Sequence, residues 1–141
     1  MSTQPYFAYG SNMDIEQMKH RCPTAIAKGV AKLPKHRFLI NTRGVASVEP
    51  GKKADVYGVL WNITPAGEAV LDRYEGVASG LYLKRVLDVQ MDARLVPALI
   101  YVAANNHYGS PRQGYLETIL KGAADNGLPQ EYIASLQVWR R

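Results

Sequence analysis

The run Tyr6-Phe7-Ala8-Tyr9-Gly10-Ser11-Asn12-Met13 constrains this chain more than any other stretch. It reads as a short apolar strand ending at Tyr9, a Gly-Ser-Asn turn, and a helix from about Asp14. Such a junction leaves backbone N–H groups without intrahelical partners, free to grip a carboxylate or a polarised carbonyl. Gly10 allows close approach of the backbone to whatever sits there. Ser11 and Asn12 are also ordinary capping and turn residues, a reading compatible with the first.

Further extended segments are expected at Arg37 to Thr42, Val56 to Asn62, Leu81 to Val89 and Pro97 to Ala103, with the first at Pro5 to Tyr9. Val56 to Trp61 is rich in β-branched and aromatic residues, and Tyr82 to Val89 alternates with a period of two. Helices are expected from Asp14 to His20, Pro65 to Tyr74, Pro111 to Ala124 and Gln130 to Val138. Thr64-Pro65 and Ser110-Pro111 each place a capping hydroxyl before a proline suited to the first helical position. Gly76 and Gly127 are plausible terminators. Strands and helices interleave irregularly, which points to the α+β class. No repeat, linker or low-complexity segment divides residues 1–141, so a single domain is expected.

The formal charge of +5 invites a nucleic-acid reading, but the basic residues are scattered along the chain, as at Lys52 and Lys53, Lys84 and Arg85, Arg140 and Arg141. Phosphate tracking wants a clustered patch, so no nucleic-acid partner is expected; a mild positive field still suits an anionic substrate. No stretch approaches the roughly 18 apolar residues of a membrane span, and the first residues lack the pattern of a signal peptide. Cys22 is the only cysteine, which excludes an internal disulfide and a cysteine-based metal site. A cytoplasmic location is expected, without a membrane partner.

Three later segments change the weight of the opening turn. They are Leu71-Asp72-Arg73-Tyr74-Glu75-Gly76-Val77, then Ala78-Ser79-Gly80-Leu81-Tyr82, and Asn126-Gly127-Leu128-Pro129-Gln130-Glu131-Tyr132. Together with Tyr6 to Asn12 they resemble the γ-glutamylcyclotransferase family, in the family's order, from Tyr6 to about Leu136. The late segment resembles the cytosolic animal-type enzymes. The resemblance implies a closed, barrel-like mixed sheet with surrounding helices, a small-molecule γ-glutamyl substrate, and release of 5-oxoproline with an amino acid or amine. A monomer or homodimer that needs no metal, nucleotide or organic cofactor is expected. The segment Thr42 to Ser47 is shorter than its counterpart in those enzymes, which bears on leaving-group preference more than on cyclisation.

Cyclising a γ-glutamyl compound requires its α-amine to attack its own γ-carbonyl. A single carboxyl can take the proton from the amine and return one to the leaving nitrogen, provided its pKa is lifted towards neutrality. Glu75 falls at an expected helix end, where the macrodipole disfavours another negative charge, and Leu71, Tyr74 and Val77 can desolvate it. Local sequence alone leaves Glu75 as a solvated carboxylate beside a helix-ending glycine; the resemblance assigns it the acid/base role. Asp72 is the nearest competitor, and a surface or structural role is expected for it. The resemblance assigns Tyr9, Gly10, Ser11 and Asn12 to the glutamyl pocket, where N–H groups can stabilise charge on the γ-carbonyl oxygen. Tyr82, Tyr101 and Tyr115 match pocket tyrosines, which offer an apolar wall and a hydroxyl. Ser11 as a covalent nucleophile is disfavoured, because the substrate carries its own nucleophile and no motif places a histidine beside the serine. His20, His36 and His107 lie far apart, so no metal site is expected. Two rivals stand beside cyclotransfer to amino acids. One is a superfamily enzyme acting on γ-glutamyl amines or removing glutamyl in a biosynthetic route; the other is a non-catalytic module binding an acidic metabolite.

Overall fold

β1 (Gln4–Ala8) is the strand on which the others are organised. In a computed structural model, which describes residues 2–140, β1 has neighbours on both edges, and Tyr6, Phe7 and Ala8 are all buried. Met1 and Arg141, the latter one of the scattered basic residues, lie outside the described residues. β1 pairs antiparallel with β3 (Ala46–Ile63), Tyr6 opposite Trp61, and parallel with β5 (Arg94–Ala103), Tyr6 opposite Leu99. β2 (Ile26–Ile40) pairs with β3, and β4 (Tyr82–Met91) with β5; Lys32 opposite Gln90 joins β2 to β4. The order β1-β3-β2-β4-β5 closes into a barrel, with the β1–β5 and β2–β4 seams each made by a single residue pair. The expected α+β barrel is the one observed.

The β2–β3 hairpin is much longer than the segments Arg37 to Thr42 and Val56 to Asn62 suggested. Pairing continues past Pro34 and Pro50, with His36 opposite Pro50 and Pro34 opposite Asp55, and residues 51–54 left out of the register. Lys35 takes a left-handed conformation (φ 60°) at a register shift between Pro34 and His36, so the ladder absorbs the irregularity as a bulge. Gly58 lets β3 press onto β1: a Cβ there would stand 2.3 Å from the Ala8 carbonyl oxygen.

Around the barrel lie α1 (Ile15–Arg21), α2 (Pro65–Tyr74), α3 (Tyr115–Asp125) and α4 (Gln130–Leu136). Short 3-10 turns cover Ser11–Met13 and Gln137–Trp139. α2 keeps its expected bounds because its end signals are local: the Thr64 hydroxyl accepts from the Gly67 N–H, and Pro65 opens the helix. At its other end Gly76 is left-handed (φ 65°), with the Gly76 N–H on the Arg73 carbonyl and the Val77 N–H on that of Asp72.

Two expectations about helix starts are corrected. α3 begins at Tyr115, not Pro111, because Arg112 is pulled away from helical geometry: its N–H donates to the Gly44 carbonyl and its Nε to that of Arg43. Gly114 then turns the chain with φ 78°. At α1 the cap is Asp14, whose carboxylate accepts from the Gln17 N–H, so Ser11 and Asn12 do not cap that helix. α3 buries Leu116, Ile119 and Ala123 at helical spacing and clamps the Ser11–Asp14 turn. Gly122 permits that contact, since a Cβ there would lie 2.7 Å from the Asp14 nitrogen, and Asn126 Nδ2 donates to the Met13 carbonyl.

Candidate active site

One end of the barrel gathers the C-terminal ends of β1 and β5 and the N-terminal ends of β3 and β4. Tyr9 leaves β1 there, Ala46 opens β3, Tyr82 opens β4 and Tyr101 approaches the end of β5. Glu75 caps α2 a few residues before β4, and Tyr115 arrives on the first turn of α3. The result is a cleft of about 320 Å³, including its open mouth, lined by Tyr6, Tyr9, Gly10, Ser11, Asn12, Glu75, Tyr82, Tyr101 and Tyr115 among others. All eight residues expected at the site therefore meet around one cavity. Ser11, Glu75, Tyr82 and Tyr115 also line a second, outer cavity that opens beside the first, with Gln17, Arg21, Arg43 and Arg112 on its walls.

The opening turn is held from beneath. Asn12 Nδ2 donates to the Tyr6 hydroxyl, while its Oδ1 accepts from Gln17 Nε2 and Arg21 Nη1. Gln17 Nε2 also donates to Ser11 Oγ at 2.7 Å. The Asn12 side chain is thus committed to fixing the turn, and what the turn offers a ligand is its backbone. As the first residues of the 3-10 turn, Ser11 and Asn12 have N–H groups with no partner inside it. Gly10 is not left-handed; its value is space, since a Cβ would come within 3.3 Å of the Tyr115 hydroxyl and 3.4 Å of the Ala46 Cβ.

The tyrosines divide by what their hydroxyls already do. Tyr82 donates to the Ala46 carbonyl and Tyr9 to the Tyr101 carbonyl. Each keeps its oxygen as an acceptor but has no proton left for a carboxylate. Tyr101 donates to Asp72 Oδ1 at 2.7 Å, so its ring walls the cleft while its hydroxyl faces away. Asp72 also binds Lys84, which pairs with Glu68; the structural role expected for Asp72 has a concrete form in this network. Tyr115 differs: its oxygen accepts from the Ala46 N–H at 3.1 Å, which leaves its proton for a ligand. Burial pushes the pKa of Tyr115 up to about 12 and those of Tyr9, Tyr82 and Tyr101 above their ordinary value, so all four are neutral phenols at physiological pH.

Glu75 is half-buried as a residue, with its carboxyl on the cleft. Desolvation raises its pKa from 4.5 to about 7, and the nearby Arg21 guanidinium opposes part of the rise. Arg21 stacks 4.1 Å from the centroid of the Tyr74 ring, which ties the end of α1 to the end of α2 beside Glu75. A carboxyl poised near neutrality can both accept and return a proton. Cys22 is buried and packs against the Gly67 carbonyl, away from the cleft.

Among the lining residues that the sequence reading did not place at the site are Tyr6, Gln17, Arg21, Arg43 and Arg112. Tyr6 sits in the run already singled out, three residues before Tyr9. The arginines carry no motif, and only the tertiary fold brings Arg43 and Arg112, from two loops, to one rim.

The AIG2-like family model matches residues 55–136. The chain is 31% identical to the γ-glutamylcyclotransferase of Mus musculus, an alignment covering 94% of this chain and 76% of that protein. Against the Bos taurus γ-glutamylcyclotransferase the identity is 30%, over 90% of this chain and 73% of the relative. A solved γ-glutamyl cyclotransferase structure superposes with a TM-score of 0.92 at 29% identity, covering 99% of this chain and 89% of that one.

Proposed function

Because the chain belongs to the AIG2-like family and has γ-glutamylcyclotransferases as relatives, we propose that it converts γ-glutamyl amino acids or related γ-glutamyl amides to 5-oxoproline and the free amino acid or amine. The observation that carries this reading is the position of Glu75 at the junction of the two cavities. The glutamyl half occupies the inner cleft, the leaving group occupies the outer cavity, and the scissile amide crosses between them beside the carboxyl.

In the proposed reaction the α-nitrogen of the substrate bonds to its γ-carbon, and the bond from that carbon to the leaving nitrogen breaks. Glu75, ionised at the start, takes a proton from the attacking amine and delivers it to the departing one, so it ends as it began. A pKa near 7 suits both transfers. The N–H groups of Ser11 and Asn12 and the free hydroxyl proton of Tyr115 are donors for charge building on the γ-carbonyl oxygen. The oxygens of Tyr9 and Tyr82 remain as acceptors for the α-amine, which must be fixed for ring closure. No oxidation state changes and the acceptor is the substrate's own amine, so the proposed chemistry calls for no redox or group-carrying cofactor. Among the described residues no helix is long and apolar enough to cross a membrane; the proposed setting is the cytoplasm.

The direct test incubates purified protein with a panel of γ-glutamyl amino acids and γ-glutamyl amines and follows 5-oxoproline. Stoichiometric 5-oxoproline and free amine support the reading. Glutamate in place of 5-oxoproline would mean simple hydrolysis and overturn it.

A further inference from the structure

We propose that Arg43 and Arg112 form an anion site on the rim of the outer cavity that reads a carboxylate on the leaving group. The site then prefers γ-glutamyl amino acids to γ-glutamyl amines. This inference rests on the γ-glutamyl reading above and adds to it which amide is accepted and by which residues.

The outer cavity occupies about 670 Å³ including its open mouth, and Arg21, Arg43 and Arg112 all line it. None of the three forms an ion pair among the described residues, whereas Arg37, Lys84, Lys121 and Arg140 each hold a carboxylate. Arg21 has protein partners in Asn12 and Tyr74. Among the described residues Arg43 and Arg112 have no side-chain partner, and the single carboxylate on the wall is Glu75 at the junction.

The two guanidiniums are also held together. The Arg43 and Val45 N–H groups both donate to Asn41 Oδ1, which fixes the 41–45 turn. Arg112 docks on that turn through its own N–H to Gly44 and its Nε to the Arg43 carbonyl. Gly44 allows this seat, being left-handed (φ 81°) with the Arg112 Cγ 2.7 Å from where a Cβ would stand. Their charges reach the cleft: Arg43 lowers the pKa of Tyr82 and Arg112 that of Tyr115, against the larger effect of burial. In a γ-glutamyl amino acid the leaving carboxylate is two bonds from the scissile nitrogen, so an amide at Glu75 brings that anion into the same cavity. A γ-glutamyl amine leaves both guanidiniums unpaired.

The experiment compares γ-glutamyl-alanine with γ-glutamyl-ethylamide, which differ only by the leaving carboxylate. The wild type is expected to favour the first by about tenfold in kcat/KM, the scale of hydrogen bonds to a charged group discounted for partial exposure. In an Arg43→Met, Arg112→Met double variant that ratio should fall towards one, mainly through KM, with Arg43→Lys in between. A ratio near one in the wild type, or an unchanged ratio in a double variant with native circular dichroism, overturns the proposal. If neither compound yields 5-oxoproline, the cyclotransfer reading fails, and calorimetric binding of the same two compounds decides the anion site separately. Tighter binding of the carboxylate compound to the wild type alone supports it; equal binding, or none, refutes it.

Discussion

Glu75→Gln should cut turnover by orders of magnitude and at the same time stabilise the protein above neutral pH. The rise of the Glu75 pKa from 4.5 to about 7 corresponds to about 3 kcal/mol of differential interaction between its two protonation states. The sign follows from the direction. The folded pKa lies above the unfolded one, so the favourable contribution of the protonated acid is full below pH 4.5 and lost as pH rises through about 7. At pH 8 the native chain holds an ionised, poorly solvated carboxylate; glutamine keeps the shape without the charge. Because Glu75 is only half-buried and water can relax around it, the measured gain at pH 8 is expected at about 1–2 kcal/mol, or on the order of 3–6 °C in Tm. It should vanish at pH 4.5. Turnover should drop about 10²–10⁴-fold, the scale of a lost general acid/base. Thermal or urea unfolding at both pH values, paired with 5-oxoproline release, reads the two effects together. A variant less stable than wild type at pH 8, or a stability difference independent of pH, would refute the desolvated state of Glu75. Turnover near wild type would remove it from the mechanism.

Arg21→Met should move the rising limb of the kcat/KM–pH profile, expected near pH 7, to higher pH, since the Arg21 charge lowers the Glu75 pKa; a limb moving to lower pH contradicts this. Tyr115→Phe removes a phenol proton that, unlike those of Tyr9, Tyr82 and Tyr101, is not donated within the protein, and should weaken kcat/KM with little change in Tm. Tyr82→Phe strips a partner from the Ala46 carbonyl and should instead cost about 1–3 kcal/mol of stability; equal effects of the two on both readouts would undo the distinction. Gly10→Val presses on Tyr115 and Ala46 and should raise KM sharply in a folded protein, with Gly10→Ala milder; an unaltered KM for the valine variant would show that the turn does not meet the substrate.

What was legible in the sequence was what local chemistry decides. Thr64-Pro65 and Gly76 bracket α2 within the residues expected, and Gly127 ends the α3 region with the Leu128 N–H on the Ala123 carbonyl, as a terminating glycine should. The same kind of signal failed at Ser110-Pro111, because Arg112 is held to the 41–45 turn by bonds to residues 68 and 69 positions away. The strands expected at Arg37 to Thr42 and Val56 to Asn62 came out too short for a related reason: the barrel extends the β2–β3 ladder beyond them, past Pro34 and Pro50. At the site, the residues named from the sequence meet at one cleft, but hydroxyl direction could not be read from residue type. Tyr82 and Tyr101 turn their protons to Ala46 and Asp72, and Tyr115 keeps its own. The cap at Asp14 and the commitment of Asn12 to Tyr6, Gln17 and Arg21 depend likewise on partners brought in by the fold.

The central claim is that the α-amine of the substrate is the nucleophile, so the deciding measurement sets γ-glutamyl-alanine against its N-acetylated form and follows release of alanine. Acetylation leaves the scissile amide intact and removes the basic lone pair that Glu75 would unmask. Release of alanine with 5-oxoproline from the free compound, and none from the acetylated one at concentrations where it still occupies the cleft in competition, is the predicted result. Release of alanine from both at similar rates would mean that water or a side chain attacks the γ-carbonyl, and would contradict intramolecular cyclisation.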